Sequence, residues 1–204
     1  MGTSSDMIIG HNGTNSSVIN YTGNLEIGNN ANDKDVILST DDGSGGKTAY
    51  VTLDGSITKT VFNKPSQRTF EFSSTTDGDA NGDIVYFGGT TSMTVGTIYH
   101  YKSDGTWEVA NPNAAATSDG LLAVALGAAS DTNGMLLRGM VTLDHDPGAV
   151  GDVLFLSAAS TGDATATAPA GNGDIVRVIG YQVGHASNGL IWFNPDGTFV
   201  EVTA

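Results

Sequence analysis

Short runs of β-branched and aromatic residues alternate with turn-forming residues along almost the whole chain. Apolar and polar positions alternate within several runs; in one, Ile98, His100 and Lys102 face one way and Tyr99 and Tyr101 the other. Asp-Gly and Asn-Gly pairs, which favour tight turns, recur between the runs. The pattern predicts an all-β protein with strands in these segments: 34–42, 47–56, 68–74, 82–89, 96–110, 151–159, 174–183 and 189–202.

The segment from Ser118 to Ser130 is the place where a helix competes with a strand. Its apolar run suits either structure, but Gly120 and Gly127 weaken a helix. In an all-β context we expect a buried strand with small neighbours here. The adjacent run at 134–144 predicts another strand.

The chain changes character near residue 72. Residues 1–72 are rich in Asn, Thr and Ser, whereas residues 73–204 hold both tryptophans and the denser apolar runs. Because the first part cannot build a core alone, we expect three copies to share one around a three-fold axis, which also hides strand edges. The predicted architecture is an N-terminal intertwined trimeric β stalk (1–72) and a C-terminal β-sandwich or barrel head (73–204). The residues expected in the trimer core are Val18, Ile19, Leu25, Ile27, Val36, Ile37 and Leu38.

Two stretches of the second part resemble each other in sequence. NGDIV occurs at 81–85 and at 172–176, and each copy is followed by a Gly-led aromatic strand and an Asp-Gly-Thr turn (96–109 and 189–202). Shared turn chemistry can produce such a likeness without duplication. The matched order of three elements favours an internal pseudo-repeat, and therefore a duplicated sandwich or barrel.

Composition and charge narrow the classes of function. The 204 residues include 22 acidic and 8 basic ones, for a formal net charge of −14, and the bases are scattered. A nucleic-acid partner and an anionic membrane surface are therefore disfavoured. No cysteine is present, which excludes disulfides and thiolate chemistry. No apolar run approaches a membrane span and no signal peptide is visible, so we expect no membrane insertion.

The segment from Asp77 to Ile84 matches the first half of a calcium-binding loop. Asp77, Asp79, Asn81 and Asp83 alternate, and alternate carboxylates can converge on a hard cation. The position of the usual bidentate Glu holds Gly88, and a strand rather than a helix is expected to follow. The interpretation that we favour is a turn that starts a strand, and Ca²⁺ is the cofactor that this segment leaves open.

A histidine between two carboxylates, Asp144-His145-Asp146, could bind a divalent metal or position a base. A histidine in a turn before Pro-Gly is more often a capped, exposed residue. His11, His100 and His185 have no evident partners in the sequence.

Aromatic residues of the second part could form a sugar-binding surface, because flat rings stack on pyranose faces. The candidates are Tyr99, Tyr101, Trp107 and Trp192. The alternative, which we favour, is that they belong to the β core or to a subunit interface. No serine-hydrolase elbow, metalloprotease motif or P-loop is present. We therefore expect no enzyme, and a polysaccharide depolymerase is the remaining enzymatic alternative, because its paired acids need no motif.

Three stretches resemble fibre proteins of tailed bacteriophages, particularly marine ones. HNGTNSSVINYTGNLEIGN (11–29) is similar to a repeated unit of such fibres, and DVILSTDDGSGGKTAYVTLDGSITKTVFNK (35–64) is similar to the segment that commonly follows it. The run from GMLLRGMVTLDHDPGAVGDVLFLS (134–157) to IWFNPDGTFVEV (191–202) more loosely resembles C-terminal domains of phage virion proteins.

The resemblance implies a β-rich, trimeric component of the virus particle. Its partners would be other copies of itself, other virion proteins at the tail, baseplate or capsid, and a glycan or protein on the host surface. We expect it to be made in the host cytoplasm and to lie on the virion surface. A tail fibre, a capsid decoration protein and a polysaccharide-degrading tail spike are the alternatives, in that order.

Overall fold

The computed structural model describes residues 7–67, 69, 74–184 and 188–203, which fall into two compact units, Met1–Arg68 and Thr69–Ala204. The boundary expected near residue 72 lies outside the described residues, as does most of the strand predicted at 68–74. The described residues are nearly all strand, turn and loop, which confirms the all-β class.

The N-terminal unit contains a hairpin and a three-stranded antiparallel sheet. The hairpin pairs β1 (Met7–His11) with β2 (Ser16–Asn20), and the sheet has the order β3 (Val36–Asp41), β4 (Lys47–Asp54), β5 (Lys59–Phe62). Asx turns close the connections: the Asn12 side chain accepts from two backbone N–H groups ahead of it, and Asp42 and Asp54 do the same. The sequence patterns did not single out β5.

The C-terminal unit is built from short strands and two single-turn helices. Its strands are β6 (Ala80–Val85), β7 (Ile98–Tyr101), β8 (Trp107–Val109), β9 (Leu122–Ala125), β10 (Met135–Thr142), β11 (Val153–Leu156), β12 (Ala164–Thr165), β13 (Ile175–Val176), β14 (Val178–Gly184), β15 (Leu190–Phe193) and β16 (Val200–Glu201). A 3₁₀ turn lies at Ala115–Thr117 and an α-helical turn, α1, at Ser130–Asn133. The buried strand expected between Ser118 and Ser130 is confirmed as β9.

Nine of these strands form one sheet that curls into a half-barrel around β10. The sheet runs β12-β11-β14-β15-β10-β9-β7-β8, and β6 also pairs with β10. One edge of β10 pairs with β6, while the other pairs with β9 at its beginning and with β15 at its end. Because two ribbons leave the same edge of one strand, the sheet must bend there.

Successive side chains along β7 and β9 point to opposite faces of the sheet and so belong to two separate apolar clusters. Ile98, Val124 and Leu136 belong to the main core, which fills the curled sheet together with residues of β10, β11, β14 and β15. Their neighbours Tyr99 and Ala123 point to the opposite face and join a smaller cluster around Trp107. The β7–β8–β9 ribbon is therefore covered on both faces.

The two NGDIV stretches occupy different places in the fold. The first forms most of β6, which pairs with β10, whereas the second forms a turn and then β13 itself, which pairs with β16. The Asp-Gly-Thr-aromatic strands also differ, since β8 pairs with β7 but β16 pairs with β13 and not with β15. These pairings give no sign of a duplicated unit, and the internal pseudo-repeat stays a prediction from sequence.

Candidate functional site

Aliphatic side chains on both faces of the β1–β2 hairpin remain exposed. Ile9 pairs with Val18 across one face, and Ile8 pairs with Ile19 across the other. These four side chains are between 38% and 73% exposed. A two-stranded hairpin is marginally stable by itself in water, so burial of these side chains against another surface would stabilise it.

The three-stranded sheet exposes a continuous apolar face. Two cross-strand rows lie on it, Leu38–Val51–Phe62 and Val36–Leu53–Thr60. Leu38, Leu53 and Phe62 are exposed, and Phe62 is 67% accessible. Ile27, Val36 and Leu53 line a shallow cavity of about 400 Å³ on this unit. We call this surface, made of Val36, Leu38, Val51, Leu53 and Phe62, the β3–β5 face.

Six of the seven residues expected in a trimer core are exposed in the single chain. Val36 is half-buried, and the others are 40–67% accessible: Val18, Ile19, Leu25, Ile27, Ile37 and Leu38. The chain therefore does not bury them by itself. Contiguous exposed apolar surface of this kind is typical of an interaction surface.

The four residues of the predicted calcium loop have different surroundings. The Asp77 carboxylate accepts from the Asn188 side-chain amide, and Asp79 accepts from the Ser74 hydroxyl at 2.5 Å. Asn81 and Asp83 lie within β6 rather than in a turn. In the described part of the chain, the carboxylates of Asp77, Asp79 and Asp83 do not gather within 4.8 Å of one another. The calcium site stays a hypothesis that this arrangement does not favour.

His145 does contact two carboxylates, but Asp163 takes the place expected for Asp146. The ring nitrogen Nδ1 lies 2.7 Å from Asp144 Oδ1 and 3.7 Å from Asp163 Oδ1. The Nε2 atom lies 2.9 Å from the Ala164 backbone N–H and 3.1 Å from the Ala164 carbonyl; with the N–H as donor, the ring proton is assigned to Nδ1 and donates to Asp144. Both ring nitrogens therefore have protein partners, and the histidine ties the end of β10 to β12.

The aromatic residues proposed for sugar binding do not form one surface. Tyr99 and Trp107 are 5% and 3% exposed. Trp107 stacks on Phe87, packs against Tyr101 and donates its indole N–H to the Phe87 carbonyl. Trp192 lies on β15, in another part of the sheet, beneath the Arg138 guanidinium at 5.7 Å. Three of the four candidates thus share the smaller apolar cluster, as the core interpretation expects.

A second histidine with two carboxylate neighbours lies at a cavity that the sequence did not reveal. His100 on β7 is 6% exposed and lines a cavity of about 440 Å³ with Glu108 and Asp119. Glu108 is its cross-strand partner on β8, and Asp119 precedes β9, whose Leu122 pairs with His100 on the other side. The Nδ1 atom lies 3.5 Å from Glu108 Oε1, and Nε2 lies 3.5 Å from Asp119 Oδ1.

Arg177 holds the loop that carries Asp119 through hydrogen bonds to its backbone. This side chain is 6% exposed, and its Nη1 donates to the carbonyls of Ser118, Asp119 and Gly120 at 2.6–3.0 Å. Burial lowers the pKa of Arg177, while the negative charges of Asp119 and Asp196 oppose that shift. The cation thus organises the backbone of the loop through hydrogen bonds to carbonyls.

The cationic side chain at the same cavity is already engaged. Lys102 donates to Asp104 at 2.9 Å, and this hydrogen bond raises the pKa of Lys102. Hydrogen bonds from Thr106 and then Lys102 lower the pKa of Asp104 to about 2. Glu108 and Asp119 are left as the acidic groups that face His100.

Comparison of the chain with protein-family models, with curated proteins and with solved structures found no match. None of the helices in the described residues is long and apolar enough to cross a membrane.

Proposed function

We propose that the protein is a non-enzymatic structural component of a bacteriophage particle, a trimeric tail fibre that docks through residues 1–72 and presents residues 73–204 to the host surface. The phage assignment rests on the sequence resemblance of residues 11–29, 35–64 and 134–202. The proposal includes other virion proteins as docking partners and a host glycan or protein as receptor.

The observation that carries the trimer is the exposed β3–β5 face. Full burial of a side chain such as Leu38 or Phe62 contributes roughly 1.5–3 kcal/mol, and a single chain forgoes the larger part because the two are 60% and 67% exposed. Three copies around one axis would bury equivalent faces against each other and close their strand edges. The intertwined stalk follows from this arrangement, whereas the internal pseudo-repeat of the head has support from the sequence alone.

Light scattering of the full chain tests the trimer. Three chains of 20.9 kDa would give a particle of about 63 kDa. The double variant Leu38→Ser, Phe62→Ser places two hydroxyls on the β3–β5 face, and we expect it to dissociate to single chains at the same concentration. A wild-type protein that remains a single chain at every concentration would contradict the shared core.

The matched control is Ile57→Ser. Ile57 lies in the turn between β4 and β5, outside the strands that form the β3–β5 face, and is 53% exposed, comparable to Leu38 at 60%. This variant should keep the trimer mass. Equal dissociation by Ile57→Ser would mean that loss of any exposed apolar side chain lowers the mass. The β3–β5 face could then no longer be assigned as the trimer contact.

Capsid decoration is the second candidate, because it uses the same trimer with a different docking partner. Sedimentation of the labelled protein with purified tails and with expanded capsids separates the two locations. Binding to capsids alone would replace the tail assignment. Cleavage of a bacterial surface polysaccharide by the protein would instead support the depolymerase alternative.

A further inference from the structure

The two histidines that contact carboxylates differ in whether their ring nitrogens are satisfied. His145 has a protein partner at both nitrogens. The Nδ1 atom of His100 is buried without a hydrogen-bond partner, although Glu108 lies 3.5 Å away. A buried polar atom without a partner destabilises a fold, so the arrangement around His100 leaves a ring nitrogen to be satisfied.

We propose that His100 Nε2 and Asp119 Oδ1 bind a divalent transition metal ion of the zinc type at the cavity between β7, β8 and the 118–120 loop. Glu108 is the positioning residue, because its carboxylate accepts a hydrogen bond from the Nδ1–H group. The proton then stays on Nδ1, and the lone pair of Nε2 is available to the ion. This order of carboxylate, imidazole and metal is the usual arrangement around metal-bound histidines. The small movement that shortens the 3.5 Å contact with Glu108 would also satisfy the buried Nδ1.

The spacing of the two ligand atoms is compatible with a metal ion between them and too short for an organic cation. Zinc bonds of roughly 2.0–2.1 Å at a tetrahedral angle hold neighbouring ligand atoms about 3.4 Å apart. The observed separation of Nε2 and Oδ1 is 3.5 Å. An ammonium group with hydrogen bonds of about 2.9 Å would instead hold its two acceptors about 4.7 Å apart.

The ligand types select the class of metal. An imidazole with one carboxylate suits zinc and its transition-metal neighbours, whereas calcium and magnesium prefer sets made of oxygen ligands. Two protein ligands leave the other coordination positions facing the cavity of about 440 Å³, where water or a donor from another molecule can enter. Arg177 holds the 118–120 carbonyls and so fixes the loop that positions Asp119.

Isothermal titration of the full chain with zinc chloride tests the site. We expect one ion per chain, and Asp119→Asn should weaken binding by at least about 10-fold because it removes a ligand. Glu108→Gln should weaken binding by about 10–100-fold, the range found when such an orienting carboxylate is removed. Both side chains are more than a third exposed, at 35% and 41%, so these variants should fold where a substitution of buried His100 could fail.

Asp104→Asn is the matched control. It removes the same charge from the wall of the same cavity, but Asp104 is paired with Lys102 rather than with His100. Its zinc affinity should stay within about two-fold of wild type. Equal losses of zinc affinity in Asp104→Asn and Asp119→Asn would mean that only the total negative charge of the cavity matters. That result would overturn the proposed site.

Two other outcomes also overturn the proposal. One is the absence of zinc binding by a folded wild-type chain. The other is binding that survives Asp119→Asn and is lost in Asp163→Asn, which would place the ion at His145. A visible spectrum of tetrahedral Co²⁺ that disappears in Asp119→Asn, and not in Asp163→Asn, would support the His100 site by an independent measurement.

Discussion

Arg177 satisfies four backbone carbonyls from a nearly buried position. Its Nη1 reaches Ser118, Asp119 and Gly120, and its Nε reaches the Asp196 carbonyl. The guanidinium therefore connects the loop before β9 to the loop after β15. Lysine could not reproduce this set, because its single nitrogen would have to reach the carbonyls of both loops at once.

We predict that Arg177→Met lowers the free energy of unfolding by roughly 2–3 kcal/mol, since the buried Ser118 hydrogen bond and three partly buried ones are lost. Denaturant unfolding followed by tryptophan fluorescence measures the change. Arg138→Met is the control, because the Arg138 side chain is exposed and its contact with the Trp192 ring is worth about 0.5–1 kcal/mol. Similar losses in the two variants would contradict the role given to the buried hydrogen bonds.

Residue types could be read from the sequence, but long-range partners could not. The sequence paired His145 with Asp146, its neighbour, while the structure brings in Asp163 across the β11–β12 connection. His100 showed no partner in the sequence, because Glu108 and Asp119 reach it only through the registers of β7 with β8 and β9. For Trp107 the sequence favoured the β core or a subunit interface, but it could not tell which strands and side chains surround the ring.

At the scale of elements, the crossing of β6 and β10 depends on two facing glycines. Gly82 pairs with Gly139, and Gly139 also pairs with Phe193 on β15. Gly139 has φ of +145°, and a Cβ there would collide with the backbone of Asn81 and Gly82. The backbone of β10 at Gly139 is paired with a strand on each side, so neither it nor its neighbours can shift to make room for a Cβ, as a flexible side chain could.

We predict that Gly139→Ala destabilises the C-terminal unit by about 3 kcal/mol or more, through overpacking and an unfavourable φ. Thermal unfolding monitored by circular dichroism at the strand minimum gives the shift in Tm. Gly197→Ala serves as control, since no atom lies within 4 Å of a Cβ built at Gly197. A Gly139→Ala protein as stable as this control would show that β6 and β10 can move apart to fit the Cβ without loss of stability.

The sequence was sufficient for most strands and insufficient for how they pair. The turn residues and the alternation located β3, β4, β7, β8, β11, β14 and β15, and the weakness of Gly120 and Gly127 in a helix favoured β9 correctly. Strand pairing could not be inferred, because identical short sequences can lie beside different strands. NGDIV lies in β6 beside β10 in one place, and in the other it forms a turn followed by the two residues of β13.

At the scale of the whole molecule, the two units differ in how they bury apolar side chains. All residues of both apolar clusters belong to the C-terminal unit, between Ala80 and Phe193. The N-terminal unit has fewer buried side chains, and its larger aliphatic residues are mostly exposed in the single chain. Stability of the C-terminal unit should therefore be independent of chain concentration, whereas association through the N-terminal unit should depend on it.

We predict that residues 69–204, expressed alone, fold cooperatively and have the mass of one chain in light scattering, while the full chain has the mass of a trimer. The reason is that the fragment keeps both apolar clusters and loses the β3–β5 face. Near-ultraviolet circular dichroism from Trp107 and the neighbouring Phe87 and Tyr101 reports whether the fragment keeps its packing. A folded fragment that still forms trimers would move the trimer contact to the C-terminal unit, and the shared-core role of residues 1–72 would be wrong.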